Sequence, residues 1–234
     1  MSSIVSYRFG DGVAEIAMDD GKANALSNEM FAALNEAFDR AEADGAVVVL
    51  SGREGRFSAG FDLNTLSAGG TAAVDMLRAG FELSYRMLSF PRPVVVACTG
   101  HAIAMGVFVL LSGDYRVGAD GPFKITANEV MIGLTMPHAA VEICRQRLTP
   151  AHYNRAMLLA EVYSPAGAVE AGFLDRVVDP GDVTKAAGDT ARSFLDLNAA
   201  AHTGTKLRAR EQSLTALRAA IEADDAQLRA ALPG

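Results

Sequence analysis

The chain has no tryptophan, and only two cysteines and four histidines among its 234 residues. Cys98 and Cys144 stand alone without CxxC spacing, which argues against both a disulfide framework and a zinc site. His101, His138, His152 and His202 show no metal-ligand spacing either, so no metal is expected. Nowhere do about eighteen apolar residues run uninterrupted, so no membrane-crossing helix is expected. Lys and Arg are never clustered and the formal net charge is −7, which argues against a nucleic-acid partner, because phosphate binding draws on grouped cations. The opening MSSIVSYRFGDG lacks a basic start followed by a long apolar run, so no secretory signal is read there and a cytoplasmic protein is expected.

What remains is a chain that is 50% hydrophobic and 21% charged, long enough for a substantial core. Ile4 to Phe9 and Val13 to Met18 flank Gly10-Asp11-Gly12 and predict an opening hairpin. A loop is expected from Asp19 to Leu26, then a helix capped by Ser27 with Met30, Phe31, Leu34, Ala37 and Phe38 on one face, and a buried strand from Ala46 to Ser51. The glycine-punctuated stretch from Gly52 to Leu63 reads as loop, Gly69-Gly70 as a break, Ala73 to Leu88 as helix and Val94 to Cys98 as strand. Strand, glycine loop and helix thus occur twice, which predicts an α/β protein whose ligands bind at the carboxyl ends of the strands. Further on, Tyr115 to Gly118, Phe123 to Thr126 and Leu174 to Val178 read as extended. Helices are expected over 138–148, with Ala139, Val141, Ile143 and Cys144 in an apolar set, and over 151–160. Ser164-Pro165 starts a short helix that Gly172 ends, and two amphipathic helices over 182–198 and 205–231 present apolar faces that need a neighbour.

The stretch Gly100 to Asp114, GHAIAMGVFVLLSGD, organises the rest. Its helical part is apolar all round and must be buried. The helix start near Ala104-Met105-Gly106 then places main-chain N–H groups, with the positive end of the helix dipole, in a dry setting suited to an oxygen that becomes negative during a reaction. A plain core helix, with Gly100 and Gly106 chosen for close packing, explains the same pattern.

With these loops in hand the chain resembles the crotonase superfamily, the enoyl-CoA hydratases and isomerases, over nearly its whole length. The resemblance rests on Asn24-Ala25-Leu26, on Phe57-Ser58-Ala59-Gly60-Phe61-Asp62-Leu63, on Gly100 to Gly106 leading to Asp114, and on SPAGAVEAGFLDRVV from Ser164 to Val178. It implies a spiral of ββα units with acyl-CoA as substrate, over 1–181, and a helical C-terminal region, 182–234, that builds a homotrimer or hexamer. It also implies that no cofactor is needed, because CoA is part of the substrate.

By this resemblance the thioester oxygen is held by the N–H groups of Phe61 and Met105, and Glu129 is the catalytic carboxylate. Hydratases of the superfamily carry a second glutamate three residues past Met105, where this chain has Phe108. That departure and Asn128-Glu129 are similar to the mitochondrial type of 3,2-enoyl-CoA isomerase, whose double-bond shift needs one base. The expected substrate-binding residues are Lys22, Ala23 and Ala25 along the CoA portion, and Ala59, Asp62, Leu63, Gly106 and Phe108 near the thioester. The residues themselves favour Asp62 as the cap of the next helix, Asp114 as a structural hydrogen-bonding group, and His101 as a core residue. Met76, Leu77, Phe81, Leu83, Met87 and Leu88 could line an acyl tunnel or simply be core. The activity implied is conversion of 3-enoyl-CoA to 2-enoyl-CoA in fatty-acid metabolism. A 2-enoyl-CoA hydratase and a non-catalytic acyl-CoA-binding homologue are the alternatives.

Overall fold

The computed structural model describes residues 4–232, so the outermost residues of the two expected regions lie outside the described part. The chain opens on the expected hairpin: β1 (Val5–Gly10) and β2 (Val13–Met18) pair antiparallel across a tight turn at Asp11 and Gly12, both at positive φ. The segment expected to be loop as far as Leu26 ends instead in a two-residue strand, β3 (Ala25–Leu26). Ser27 caps α1 (Asn28–Ala43) by accepting the Met30 N–H at 3.1 Å, and the predicted apolar face is buried. β4 (Val47–Ser51) is buried along its whole length. The stretch after it is not all loop, since it holds β5 (Gly55–Ser58) and β6 (Gly60–Phe61). Helices α2 (Leu63–Ala68) and α3 (Gly70–Ser89) are parted at Gly69, and α3 begins three residues earlier than the periodicity suggested.

β7 (Val94–Cys98) passes through a further short strand, β8 (Gly100–Ile103), into α4 (Met105–Leu111), every residue of which is buried. Then come β9 (Tyr115–Ala119), β10 (Ile125–Thr126), a 3₁₀ turn at Val130–Ile132, α5 (His138–Arg145), α6 (Pro150–Leu159), α7 (Pro165–Ala171) and β11 (Arg176–Val178). In α5 it is Ala140, not Val141, that joins Ala139, Ile143 and Cys144 in the core. The chain closes with α8 (Val183–Ser193) and α9 (Ala199–Ala230), the latter starting six residues before the expected position.

The strands fall into a six-stranded sheet ordered β1-β2-β4-β7-β9-β11, a three-stranded sheet ordered β10-β8-β5, and the pair β3-β6. Apart from the opening hairpin, every pairing between these strands is parallel. Each of β4, β7 and β9 is followed by a short strand of the small sheet, which makes the repeated ββ-then-helix unit of a crotonase-like fold. The short strands escape a hydrophobic-period reading because close backbone approach, not side-chain alternation, defines them. A Cβ on Gly100 would lie 2.0 Å from the Gly55 carbonyl carbon. Both faces of the large sheet are covered, which is why its strands are runs of valine. On one face Val47, Val49, Val95 and Val117 pack beneath Val183, Ala187 and Ala191 of α8, a helix the sequence reading grouped with the C-terminal region.

Helix α9 lies across α3 and α5. Its first half is pinned by Lys206, only 7% exposed, whose Nζ is 2.7 Å from Asp114 Oδ2, while Arg210 reaches Asp114 Oδ1 at 2.8 Å. Arg210 also donates to Leu88 O at 2.9 Å, and Arg147 donates to Leu111 O and Gly113 O. These cations therefore stand where the carbonyl ends of α3 and α4 attract positive charge. Burial pushes the Lys206 ammonium down to about 8 despite the pull of Asp114. Asp114 also accepts the Val94 N–H at 2.7 Å, the structural role expected of it. Among the described residues no helix is long and apolar enough to cross a membrane.

Candidate active site

Two turns of the small-sheet layer are held against each other. Asn24, fully buried at φ +52°, donates to Met18 O at 3.0 Å and Phe57 O at 3.2 Å and accepts the Asp20 N–H at 3.0 Å. Ser58 Oγ donates to Asn24 O at 2.8 Å and accepts the Gly60 N–H at 3.1 Å. A Cβ on Gly60 would sit 2.9 Å from Ala104 Cβ and 3.3 Å from Met105 N, so only glycine permits this approach. Ala104 itself, at φ +50° and ψ −125°, is in a strained region for an L-residue, a cost of roughly 1–3 kcal/mol. That single residue converts β8 into α4, which leaves Met105 as the first helical residue, its N–H without an acceptor inside the helix. Across the gap, the Asp62 N–H donates to Leu26 O at 3.2 Å, and strand alternation places the preceding Phe61 N–H on the opposite edge. The Phe61 ring and the Met105 thioether both abut α3 at Gly80, where a Cβ would lie 2.8 Å from the ring and 3.1 Å from the sulfur.

Beside these turns is a cavity of about 450 Å³. Of the expected residues, Ala59, Phe61, Leu63, Phe108 and Glu129 line it. Met105 contributes a buried side chain packed behind the wall, and the remaining expected residues are spoken for elsewhere. Lys22 is exposed on the first loop, where its carbonyl accepts from Arg53 at 3.1 Å. Ala23 O accepts the Ala59 N–H at 3.0 Å and the Ala25 N–H goes to Asp20 at 2.9 Å. Asp62 caps α2, accepting the Thr65 N–H at 2.8 Å, so the capping role is the one its carboxylate performs. Gly106 faces Ser58, whose carbonyl oxygen would be 2.7 Å from an added Cβ, so it serves close packing. From α3, Leu77 and Phe81 reach the cavity, whereas Met76, Leu83, Met87 and Leu88 belong to the core. His101 is half-buried, edge-on to Phe123, and accepts the Lys124 N–H at 2.9 Å. Phe108 packs on Phe81 with ring centres 6.1 Å apart, and Phe81 in turn on Phe61 at 6.3 Å, so an aromatic wall runs along this side of the cavity.

Glu129 is 7% exposed and its Oε2 has no hydrogen-bond partner. Burial pushes its pKa up to about 7, opposed by a weaker pull from its own backbone N–H. The loop that carries it is closed locally: Glu129 O accepts the N–H groups of Ile132 and Leu134 at 3.1 and 2.9 Å, and Gly133 turns the chain at φ +82°. A carboxylate titrating near neutrality in an apolar cavity is suited to taking and returning a proton.

Further polar residues that sequence reasoning did not single out line the cavity, namely Arg78, Asn128, Thr135, Asp224, Asp225 and Gln227. Asp224 accepts the His138 and Ala139 N–H groups at 3.0 and 2.9 Å and so caps α5. Asp225 pairs with Arg78 at 2.9 Å and Arg229 at 3.0 Å. Asn128, next to Glu129, has a buried Oδ1 without a partner. Asn128 was quoted only as part of a motif, and nothing in an amphipathic C-terminal helix announces which cavity its acids will face. Among the described residues no group of three or more His, Cys, Asp or Glu is arranged to hold a metal ion.

This arrangement, with two apposed turns on a spiral of ββ-then-helix units and a buried acid beside them, is that of the crotonase superfamily. The family model described as enoyl-CoA hydratase/isomerase matches residues 8–231, and the chain belongs to that family. It is similar to the crystal structure of an enoyl-CoA hydratase/isomerase family protein from Pseudomonas syringae, at 45% identity and a TM-score of 0.95, over 97% of this chain and 99% of that one. A Mycobacterium tuberculosis protein is similar at 49% identity and a TM-score of 0.92, over 99% and 100% of the two chains, and is described there as an enoyl-CoA isomerase. Another crystal structure of the same protein calls it a probable enoyl-CoA hydratase. Human mitochondrial enoyl-CoA delta isomerase 1 is 29% identical over 220 residues, which is 92% of this chain and 73% of that protein.

Proposed function

We propose that the protein shifts the double bond of a 3-enoyl-CoA to the 2-position. Glu129 takes a proton from C2 of the thioester, the N–H groups of Phe61 and Met105 hold the enolate oxygen, and the protonated Glu129 returns the proton to C4. The observation that carries this reading is the pairing of one buried carboxylate, whose Oε2 has no hydrogen-bond partner, with an aromatic wall at Phe108, because a 1,3-proton shift needs one base and no activated water. Main-chain donors of this kind are each worth about 2.7–4 kcal/mol of transition-state stabilisation. The reaction draws on no group beyond the CoA of its substrate. Ala59, Leu63 and Phe108 contact the acyl thioester, and the CoA portion runs over the loop of Lys22, Ala23 and Ala25. Assembly as a homotrimer or hexamer is supported by exposed Val130, Met131, Ile132, Leu158 and Leu159, an apolar surface beside the Glu129 loop.

A hydratase reading is favoured by the description given to the M. tuberculosis relative. The two are separated by incubating purified protein with 3-hexenoyl-CoA and with crotonyl-CoA in isotope-labelled water. Isomerisation as the faster reaction supports the proposal; hydration as the faster one overturns it, and turnover of neither leaves a non-catalytic acyl-CoA binder.

A further inference from the structure

The start of α9 and the turn after α4 border a second cavity, of about 440 Å³, that shares no lining residue with the one beside Glu129. Asp114, His202, Lys206 and Arg210 line it. Charge is unbalanced there. Arg147 and Arg92 lie close enough to act on Lys206 and His202, and Asp175, which also reaches Arg147, is taken by Arg116 at 2.8 Å. Lys206, Arg210, Arg147 and Arg92 therefore face the single carboxylate of Asp114, in a chain whose net charge is −7. Burial and the Lys206 charge, joined by Arg92 and Arg210, hold the His202 imidazole below its ordinary range against the opposing pull of Asp114.

Donors are left over as well. Lys206 is filled, by Asp114 Oδ2 at 2.7 Å and by Met87 O and Arg92 O at 3.4 Å. Arg210 spends only Nη1, on Asp114 Oδ1 at 2.8 Å and Leu88 O at 2.9 Å, and among the described residues nothing accepts from its Nη2 or Nε. His202 Nε2 and Arg92 Nε are buried without a hydrogen-bond partner. The Thr205 hydroxyl lines the same cavity, as does Asn198, whose side-chain oxygen caps α9 at the Ala201 N–H. Attraction to the carbonyl ends of α3 and α4 explains where the cations stand but leaves these donors unmet, and a buried donor without an acceptor is destabilising. A cleft with surplus positive charge concentrates anions, and a free guanidinium edge matches two phosphate oxygens.

We propose that this cavity binds a phosphate monoester, its phosphoryl oxygens accepting from Arg210 Nη2 and Nε, His202 Nε2 and Thr205, and its organic part lying over Leu197, Ala201 and Ala209. Such an ester carries nearly two negative charges at neutral pH, which meets the surplus better than the single charge of a carboxylate. The site is independent of the reaction at Glu129.

Isothermal titration calorimetry of the whole protein tests this with propyl phosphate, inorganic phosphate and butyrate at constant ionic strength, in the wild type, His202→Leu and Arg210→Gln. Saturable binding is expected in the wild type, tightest for propyl phosphate and weakest for butyrate. Each substitution is expected to weaken propyl phosphate about tenfold or more, the loss of one charge-assisted hydrogen bond. At ten times its dissociation constant the ester is expected to raise the wild-type Tm by about 3–6 °C, and the Tm without ligand reports whether each variant has folded. Where Arg210→Gln loses its fold along with the Asp114 contact, His202→Leu, whose side chain makes no hydrogen bond in the structure, decides alone. Inorganic phosphate or butyrate binding more tightly than the ester overturns the choice of ligand. No saturable binding by the wild type, or equal affinity in the wild type and the folded variants, overturns the site.

Discussion

Replacing Glu129 by glutamine is expected to stabilise the protein, and to do so more at high pH than at low. The folded-state pKa of Glu129 is raised by burial from the ordinary 4.5 to about 7. A carboxyl raised in this direction binds its proton more tightly when folded, so stability falls as pH climbs from the unfolded value through the folded one. At about 1.36 kcal/mol per unit, the penalty is roughly 3 kcal/mol at pH 8 and roughly 1 kcal/mol at pH 5.5, a difference of about 2 kcal/mol. Glutamine keeps the shape and carries no charge, so the variant escapes that pH-dependent part. For a chain of this size each kcal/mol moves the melting temperature by about 2–4 °C. Urea unfolding of both proteins at the two pH values measures the difference. Equal gains at pH 5.5 and pH 8, or no gain at either, would refute the claim that the Glu129 carboxylate is buried without a compensating charge.

Other consequences concern the frame around the acid. Gly80→Ala drives a Cβ to 2.8 Å from the Phe61 ring and 3.1 Å from Met105 Sδ, displacing both turns at once; overpacking costs about 1–3 kcal/mol and misplacement of the reacting groups about 10²-fold in rate, to be read as Tm and kcat side by side. Asp114→Asn strips Lys206 and Arg210 of their shared carboxylate; breaking a buried pair costs about 3–5 kcal/mol, and a loss below about 1 kcal/mol in urea unfolding would show that helix C-termini alone hold these cations. The kcat/KM for isomerisation is expected to rise with pH through an apparent pKa of about 7 and level off above it. A limb near the ordinary carboxylate range would mean that Glu129 is solvated when it acts.

The long elements were legible because side-chain periodicity specifies them: the buried face of α1 and the all-apolar α4 follow directly from residue spacing. The short strands β3, β5, β6 and β8 were not, since two to four residues carry no period and their pairing depends on glycine contacts such as Gly55 with Gly100. In the site, Phe61, Phe108 and Glu129 fall in one cavity, but their assembly depends on Asn24, which ties the first loop to the second through its side-chain amide. Strain at Ala104 was also invisible, because alanine gives no hint of positive φ. The cavity wall from α9 could not be foreseen either: it comes from residues about a hundred positions from Glu129, placed by ion pairs across α3 and by the cap on α5.

Turnover of 3-hexenoyl-CoA by the Glu129→Gln variant, set beside its affinity for saturated hexanoyl-CoA, puts the single-acid chemistry itself at risk. The expected result is a fall in kcat of about 10²–10⁴-fold with affinity held within about threefold, since only the base is removed. Retention of near-native turnover would mean that the proton is moved by some other group.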